Sequence, residues 1–242
     1  MPVQSLVESL ARSRSLRDVH DACTRACESW GFSHFHYSGY VRGVLNKSRF
    51  VFVSDYPQDW WDHYNDNDFY FSDPLVHYSA CHVTPVLWEQ FFKWDETRFG
   101  GKREVLIAAK EFGLQHGVTA PVHSPHGNRG SLSMIASDAG PLSLGDERVA
   151  KIQLLAACVH EAVGRLTQRE ENDNLLESIS GREQECLLWA AEGKTTWETA
   201  QILNISERTV LFHMQNAMKK LGAANKSHAV ARAICYGIIS PS

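Results

Sequence analysis

The stretch KTTWETAQILNISERTVLFHMQNAMKKL, residues 194–221, joins two short amphipathic segments through a tight turn. Trp197, Ala200, Gln201 and Ile202 belong to the first segment, Asn204-Ile205-Ser206 makes the turn, and Ser206 is placed to cap the second segment. Glu207 to Leu221 then spans roughly 22 Å of helix at a rise of about 1.5 Å per residue, long enough to lie in a DNA major groove. Val210, Met214, Ala217 and Leu221 recur at helical spacing and predict the packed face. Thr209, His213, Asn216 and Lys220 form the adjacent stripe, with Arg208, Gln215 and Lys219 close by, so donors for phosphates and base edges gather on the exposed side. A merely solvated face is the competing reading, because many bundles juxtapose short helices without touching nucleic acid.

The flanking residues make this unit self-sufficient. In GREQECLLWAAEGK, Ser180 as N-cap and Glu183 three residues later form a capping box, Leu187, Leu188 and Trp189 point inward, and Gly193 ends the helix. KSHAVARAICYGII supplies a fourth helix through Ala229, Ala233 and Ile234. Four such helices can bury one small core and hold a recognition helix on its surface.

Upstream, residues 164–179, GRLTQREENDNLLESI, exchange the apolar pattern of AKIQLLAACVHEAV for charge and amides, which marks a linker. The expected division is a domain over 1–163, the linker over 164–179 and a helix-turn-helix domain over 180–242. SLVESL and LRDVHDACTRACESW predict two amphipathic helices, the second closing at Gly31. FSHFHYSGYV, SRFVFVS, GVTAPVHSP and GSLSMIAS are strand candidates, the last two joined by the turn HGNRG, and DPLVHYSAC and TRFGGKREVLIAAKEFGL are partly helical. The expected fold class is α+β: an N-terminal α/β/α sandwich around a mainly antiparallel sheet, plus the C-terminal four-helix domain.

Composition is compatible with that reading. The chain has 242 residues and a net charge of −4, with seven Lys/Arg against six Asp/Glu from residue 175 onward, leaving 17 against 22 before it. A slightly basic small domain beside an acidic large one can hold DNA, because local phosphate contacts outweigh the chain total. The six scattered cysteines read as buried free thiols rather than a disulfide framework, and no signal-like or membrane-spanning run is present, so a cytoplasmic location is expected.

Residues 53–94, VSDYPQDWWDHYNDNDFYFSDPLVHYSACHVTPVLWEQFFKW, are dense in aromatics. Tyr56, Trp60, Trp61, Tyr64, Phe69, Tyr70 and Trp88 can be ordinary core. Asp73 is harder to place there, since a carboxylate amid apolar surface needs a backbone or ligand donor. Tyr56 and Trp60 offer an O–H and an N–H, Asp73 accepts, and Ser133 supplies a hydroxyl from across the sheet. Such a set suits an amphipathic small molecule with an acyl tail and a hydrogen-bonding head. His77, Cys81 and His82 are the nearest approach to a metal or nucleophile cluster, but on a helix residue 82 turns away from the other two, so neither catalysis nor a metal is expected.

The pattern Arg182-Glu183, Glu185, Leu188, Trp189, Gly193-Lys194, Ser206, Thr209-Val210, His213, Asn216, Lys220-Leu221 and Asn225-Lys226 closely resembles the DNA-binding domain of the LuxR family, in its quorum-sensing branch. Tyr56-Pro57, Trp60, Tyr64, Asp73-Pro74, Trp88 and Gly117 resemble the autoinducer-binding domain of the same family. The resemblance implies a homodimer that binds a palindromic, lux-box-like double-stranded DNA site, senses an N-acyl-homoserine lactone as effector with no cofactor, and works with RNA polymerase. It places base contacts near Leu211 and Gln215, with Thr209, Lys219 and Lys220 nearer the phosphates, while His213 either packs or reads a base. By the same resemblance Trp60 holds the lactone carbonyl, Asp73 takes the amide N–H, Tyr56 and Ser133 meet the acyl carbonyl, Trp88 closes over the ring and Tyr64 lines the passage to the tail. Leu75 stands where some relatives carry a hydroxyl, which removes one aid to a 3-oxo group. A ligand-independent or differently liganded regulator, and one released from DNA by its ligand, are the alternatives.

Overall fold

The structure, a computed structural model, describes residues 2–41, 49–94, 103–124, 127–136, 147–168 and 179–241. They fall into two compact units, most of the chain up to Thr167 forming one and the chain from Gln168 the other.

The first unit opens with α1 (Val3–Ala11) and α2 (Leu16–Trp30). Ser15 and Asp18 close a capping box at the start of α2, and Gly31, at φ 75°, ends it in the left-handed conformation that a residue without Cβ adopts cheaply. There follow β1 (His34–Val41), β2 (Arg49–Ser54), α3 (Gln58–Asp66), α4 (Pro74–Cys81), β3 (Val86–Leu87), α5 (Trp88–Phe91), α6 (Arg103–Glu111), β4 (His116–His123), β5 (Arg129–Ala136) and α7 (Glu147–Gln168). The sheet order is β2-β1-β5-β4-β3, and the β1/β5, β5/β4 and β4/β3 pairs are antiparallel. All four expected strands form; β3, at two residues, is too short to leave a periodic signal. Helix α7 runs to Gln168, so the expected linker begins inside it, and residues 169–178 lie outside those described.

Alternation gives the sheet two unlike faces. Phe35, Tyr37, Val118, Ala120, Leu132 and Met134 share one face and pack into a core with Leu6, Val19, Ala22, Ile152 and Leu155 from α1, α2 and α7. Each large side chain buried there contributes about 1.5–3 kcal/mol. The opposite face carries His36, Ser38, Thr119, Ser131 and Ser133. Over it α3, α4, α5 and α6 assemble a second core that includes Trp60, Phe69, Tyr78, Trp88, Leu106 and Ile135.

The second unit holds α8 (Gly181–Ala191), α9 (Thr196–Leu203), α10 (Glu207–Lys220) and α11 (Lys226–Cys235). Ser180 and Glu183 make the expected capping box, and Ser206 accepts from the Thr209 backbone N–H to start α10. Val210, Met214, Ala217 and Leu221 enter the core with Leu187, Ala229 and Ala233 as their spacing predicts. Ile234 does not: it is exposed, and Ile238 and Ile239 fill the core instead. The chain turns after α11, at Gly237 (φ 67°), which brings residues past the helix back onto the core. Leu188 is only partly buried at that core, and Trp189, also half-buried, stays outside it.

All six cysteines are free; Cys23, Cys27 and Cys186 are buried while Cys81 is exposed. Burial pushes the Cys27 thiol up to about 12, which leaves it inert.

A buried histidine, His160, and a half-buried one, His36, make the first unit sensitive to acid. His160 of α7 meets the Tyr37 hydroxyl through Nδ1 at 2.8 Å. Burial holds His160 down at about 4 and His36 at about 3, whereas an unfolded imidazole titrates near 6.5. Between those values the unfolded chain carries the extra protons, so folding stability is lost as pH falls from about 6.5 toward 4, by about 1.4 kcal/mol per pH unit for each histidine. Denaturant titrations across that range should show this slope, and His160→Gln, which keeps a polar partner for Tyr37 without a titrating ring, should flatten it by one histidine's share.

Candidate functional site

A cavity of about 580 Å³ lies between the polar face of the sheet and the helices over it, and Tyr56, Trp60, Tyr64, Asp73, Trp88 and Ser133 all line it. Its geometry starts from Asp73. The Asp73-Pro74 pair starts α4, with proline at the first helical position and the Asp73 Oδ1 accepting from the Leu75 backbone N–H at 2.8 Å. Asp73 Oδ2 accepts from the Tyr64 hydroxyl at 2.9 Å. Tyr64, expected to line a passage to the tail, is therefore also the side-chain partner of this carboxylate. Burial raises the Asp73 carboxyl, and the Leu75 and Tyr64 bonds pull against that rise. Burial, together with the neighbouring Asp73 charge, likewise keeps Tyr64 protonated as a donor.

A polar row crosses the sheet beneath Asp73. Thr119 of β4 lies directly opposite Ser133 of β5, and Ser133 lies directly opposite His36 of β1. The Trp88 indole N–H donates to Thr119 Oγ1 at 3.0 Å, and the Thr119 and Ser133 hydroxyls are 2.8 Å apart. Trp88 thus anchors its ring on the sheet while its face borders the cavity. The ring fits because residue 117 is glycine, where a Cβ would run into the indole. Ser38 and Ser131 form a second row, their hydroxyls 3.3 Å apart.

Three groups keep unused hydrogen-bonding capacity. The Tyr56 hydroxyl is enclosed beside Ser133, yet no well-aligned bond closes between them. Burial holds that phenol well above its ordinary pKa, so it stays a neutral donor. Trp60 is 4% exposed and packs edgewise on Tyr64 at 5.5 Å, and its indole N–H bonds to none of the described residues. Each Asp73 oxygen accepts one hydrogen bond, from Leu75 and from Tyr64, and carries a second lone pair. The cavity therefore offers two donors, a carboxylate and a hydroxyl inside aromatic walls. Thr119, His36, Ser38 and Ser131 are missing from the sequence expectation, although the alternation in HFHYSGYV and GSLSMIA carries their signal.

On the second unit, Lys220 of the expected stripe of α10 is exposed, as are the residues expected close beside it. Arg208, Leu211, Phe212, Gln215 and Lys219 are exposed, while Thr209, His213 and Asn216 are half-buried along its flank. The Thr209 hydroxyl pairs with Ser206 at 2.8 Å, and His213 sets its ring edgewise to Phe212. Lys220, expected near the phosphates, is exposed and bonds both Glu183 oxygens at 2.7 and 2.8 Å. Burial pushes the Glu183 carboxyl up, but the Lys220 ammonium and the Ser180 N–H outweigh it and hold it below its ordinary value. The capping box of α8 is thereby tied to the C-terminal end of α10. Among the described residues no group of three or more His, Cys, Asp or Glu is placed to hold a metal, and no helix is long and apolar enough to cross a membrane.

Comparison with known proteins agrees with both halves of this geometry. Residues 15–163 match the autoinducer binding domain, and residues 177–233 match the bacterial regulatory proteins of the luxR family. The chain belongs to the LuxR family. It is 34% identical over 212 residues to the transcriptional activator protein VanR of Vibrio anguillarum, covering 87% of this chain and 86% of that one. It is 33% identical over 211 residues to the quorum sensing-dependent transcriptional regulator RpaR of Rhodopseudomonas palustris, covering 87% and 84%. Its fold superposes on Escherichia coli SdiA with a TM-score of 0.75 at 28% identity, covering 98% of each chain, and on SdiA in complex with octanoyl-rac-glycerol with a TM-score of 0.74 at 26%, covering 99% and 96%. This LuxR-family chain is thus a transcriptional regulator with a small-molecule-binding domain and a helix-turn-helix DNA-binding domain.

Three substitutions probe this geometry. Gly117→Ala should force the Trp88 ring off Thr119 and cost about 1–3 kcal/mol, as overpacking of a filled core does, read as a lower thermal midpoint. Lys220→Met leaves Glu183 buried without its cation and should destabilise the DNA-binding domain by a similar ~1–3 kcal/mol, whereas Lys219→Met should leave the melting curve within about 0.5 kcal/mol of wild type.

Proposed function

We propose that this regulator senses an N-acyl-homoserine lactone and, as a homodimer, binds a palindromic lux-box-like DNA element and from there contacts RNA polymerase. The observation that carries the reading is the convergence of the Trp60 N–H, the Asp73 carboxylate and the Tyr56 and Ser133 hydroxyls, with capacity to spare, on one aromatic cavity. A lactone amide needs an acceptor, which Asp73 offers; its two carbonyls need donors, which Trp60 and the Tyr56–Ser133 pair offer. Trp88 is set to cover the lactone ring. SdiA's complex with octanoyl-rac-glycerol, an acyl tail on an oxygen-bearing head, supports an amphipathic acyl ligand for a cavity of this fold.

The mechanism is one of mass action. A ligand that fills the cavity removes aromatic surface from water and binds only the folded domain, so it stabilises that domain and its dimer. The linker then carries two DNA-binding domains at palindrome spacing. On α10, exposed Gln215 suits a base edge, Leu211 a thymine methyl, and Arg208 and Lys219 phosphates.

Fluorescence anisotropy of a palindromic duplex at fixed salt, with and without a panel of lactones, tests the reading. A gain of DNA affinity with one lactone class is expected; loss of binding with lactone would reverse the sign of the response, and indifference to every lactone would leave a ligand of another kind. Asp73→Asn keeps the α4 cap but replaces an acceptor by an NH2, and should weaken lactone binding by about tenfold or more. Lys219→Ala should weaken DNA binding uniformly across sequences and reduce the salt slope by about one.

A further inference from the structure

The polar row across the sheet ends in a histidine that none of the described residues satisfies. His36 lines the cavity, its Nδ1 is enclosed without a hydrogen-bond partner, and Nε2 forms no hydrogen bond to the described residues either. Rings surround it instead: Trp61 at 4.8 Å, Tyr56 at 5.3 Å and Phe52 at 6.1 Å between centroids. Burial keeps the imidazole neutral, so one nitrogen is a donor and the other an acceptor. Two residues further along the same strand face, Ser38 faces Ser131 in the second row, and their mutual contact leaves one O–H without a partner.

The position of this group fixes which part of a ligand it meets. His36 is one strand away from Ser133, a separation of about 4.8 Å, so a molecule held at Ser133 by its acyl carbonyl passes His36 within its next few carbons. On the helix side of the cavity Leu75, Val76, Leu106 and Ala109 form an apolar stretch of wall, while Asn65 and Tyr70 also line the cavity. The polar groups of the sheet, His36, Ser38, Ser131 and Ser133, lie together along one face of the cavity. A plain alkyl chain laid across that floor would seal an unpaired imidazole and a serine hydroxyl away from water.

We propose that His36, supported by Ser38 and Ser131, is a specificity-determining group that selects an acyl-homoserine lactone bearing a hydroxyl or keto oxygen near its acyl carbonyl over one with an unsubstituted chain. This rests on the reading of the cavity as a lactone receptor and extends it to the acyl chain. A keto oxygen accepts from the imidazole N–H; a hydroxyl also donates to its other nitrogen or to Ser131.

The test is direct binding to the purified full-length protein, by calorimetry, of matched unsubstituted, 3-oxo and 3-hydroxy lactones at each of several chain lengths. Wild type should bind an oxygen-bearing member about tenfold more tightly than its unsubstituted counterpart, the ratio that one buried hydrogen bond provides. His36→Leu should collapse that ratio to below about twofold while binding the unsubstituted lactone at least as well, and His36→Gln, which retains a donor and an acceptor, should restore part of it. Wild-type preference for the plain chain, or an unchanged ratio in His36→Leu, overturns the proposal while leaving the receptor reading intact. Absence of binding by every lactone overturns both. Should His36→Leu not fold, the wild-type ratio and its expected decline in Ser131→Ala decide.

Discussion

A sheet covered by helices on both sides has to bury both faces, and in this chain the two faces obey different rules. On one, Phe35, Tyr37, Leu132 and Met134 meet α1, α2 and α7 in a closed apolar core. On the other, His36, Ser38, Thr119, Ser131 and Ser133 alternate with them along the same strands. Helices cannot settle onto that second face as tightly, because each polar group needs a partner and leucine provides none. The aromatic helices therefore stand over it and leave a cavity, whose existence and chemistry both derive from the period-two pattern of β1, β4 and β5.

Within the cavity the protein uses some hydrogen-bonding groups on itself and holds others back. Trp88, Thr119 and one side of Ser133 are joined to each other, which fixes the indole where Gly117 makes room for it. Asp73 caps α4 with one oxygen and receives Tyr64 on the other, so the carboxylate is positioned from two directions before any ligand arrives. Tyr56, Trp60 and His36 are left with unmet capacity. A buried polar group without a partner costs about 1–3 kcal/mol, and a ligand that supplies the partner recovers that cost, which is how an otherwise destabilised floor becomes a source of affinity.

The DNA-binding domain solves a smaller problem with local devices. Capping boxes start α8 and α9, Ser206 starts α10, and Asn225 starts α11. The long-range tie is Lys220 to Glu183, which joins the capping box of α8 to the end of α10. This bond keeps α10 in register on the core and leaves Arg208, Leu211, Phe212, Gln215 and Lys219 as its outward face.

Much of this was legible in the residues alone. Capping signals at Ser180, Ser206 and Gly31, the apolar spacing of Val210, Met214, Ala217 and Leu221, and the four long strands are local properties, and local periodicity is enough to fix them. The cluster of Tyr56, Trp60, Tyr64, Asp73 and Trp88 was visible because those residues lie close together in the chain. What only tertiary structure decided is who pairs with whom. Tyr64 with Asp73, Trp88 with Thr119, Lys220 with Glu183 and the solitude of His36 depend on which strands are neighbours, in what register, and on which helix end meets which. Residues 36 and 133 are far apart in sequence yet directly opposed across β1 and β5. Local pattern determines the face a side chain occupies; strand order and register determine its partner, because a hydrogen bond is satisfied only by a group that arrives within about 3 Å.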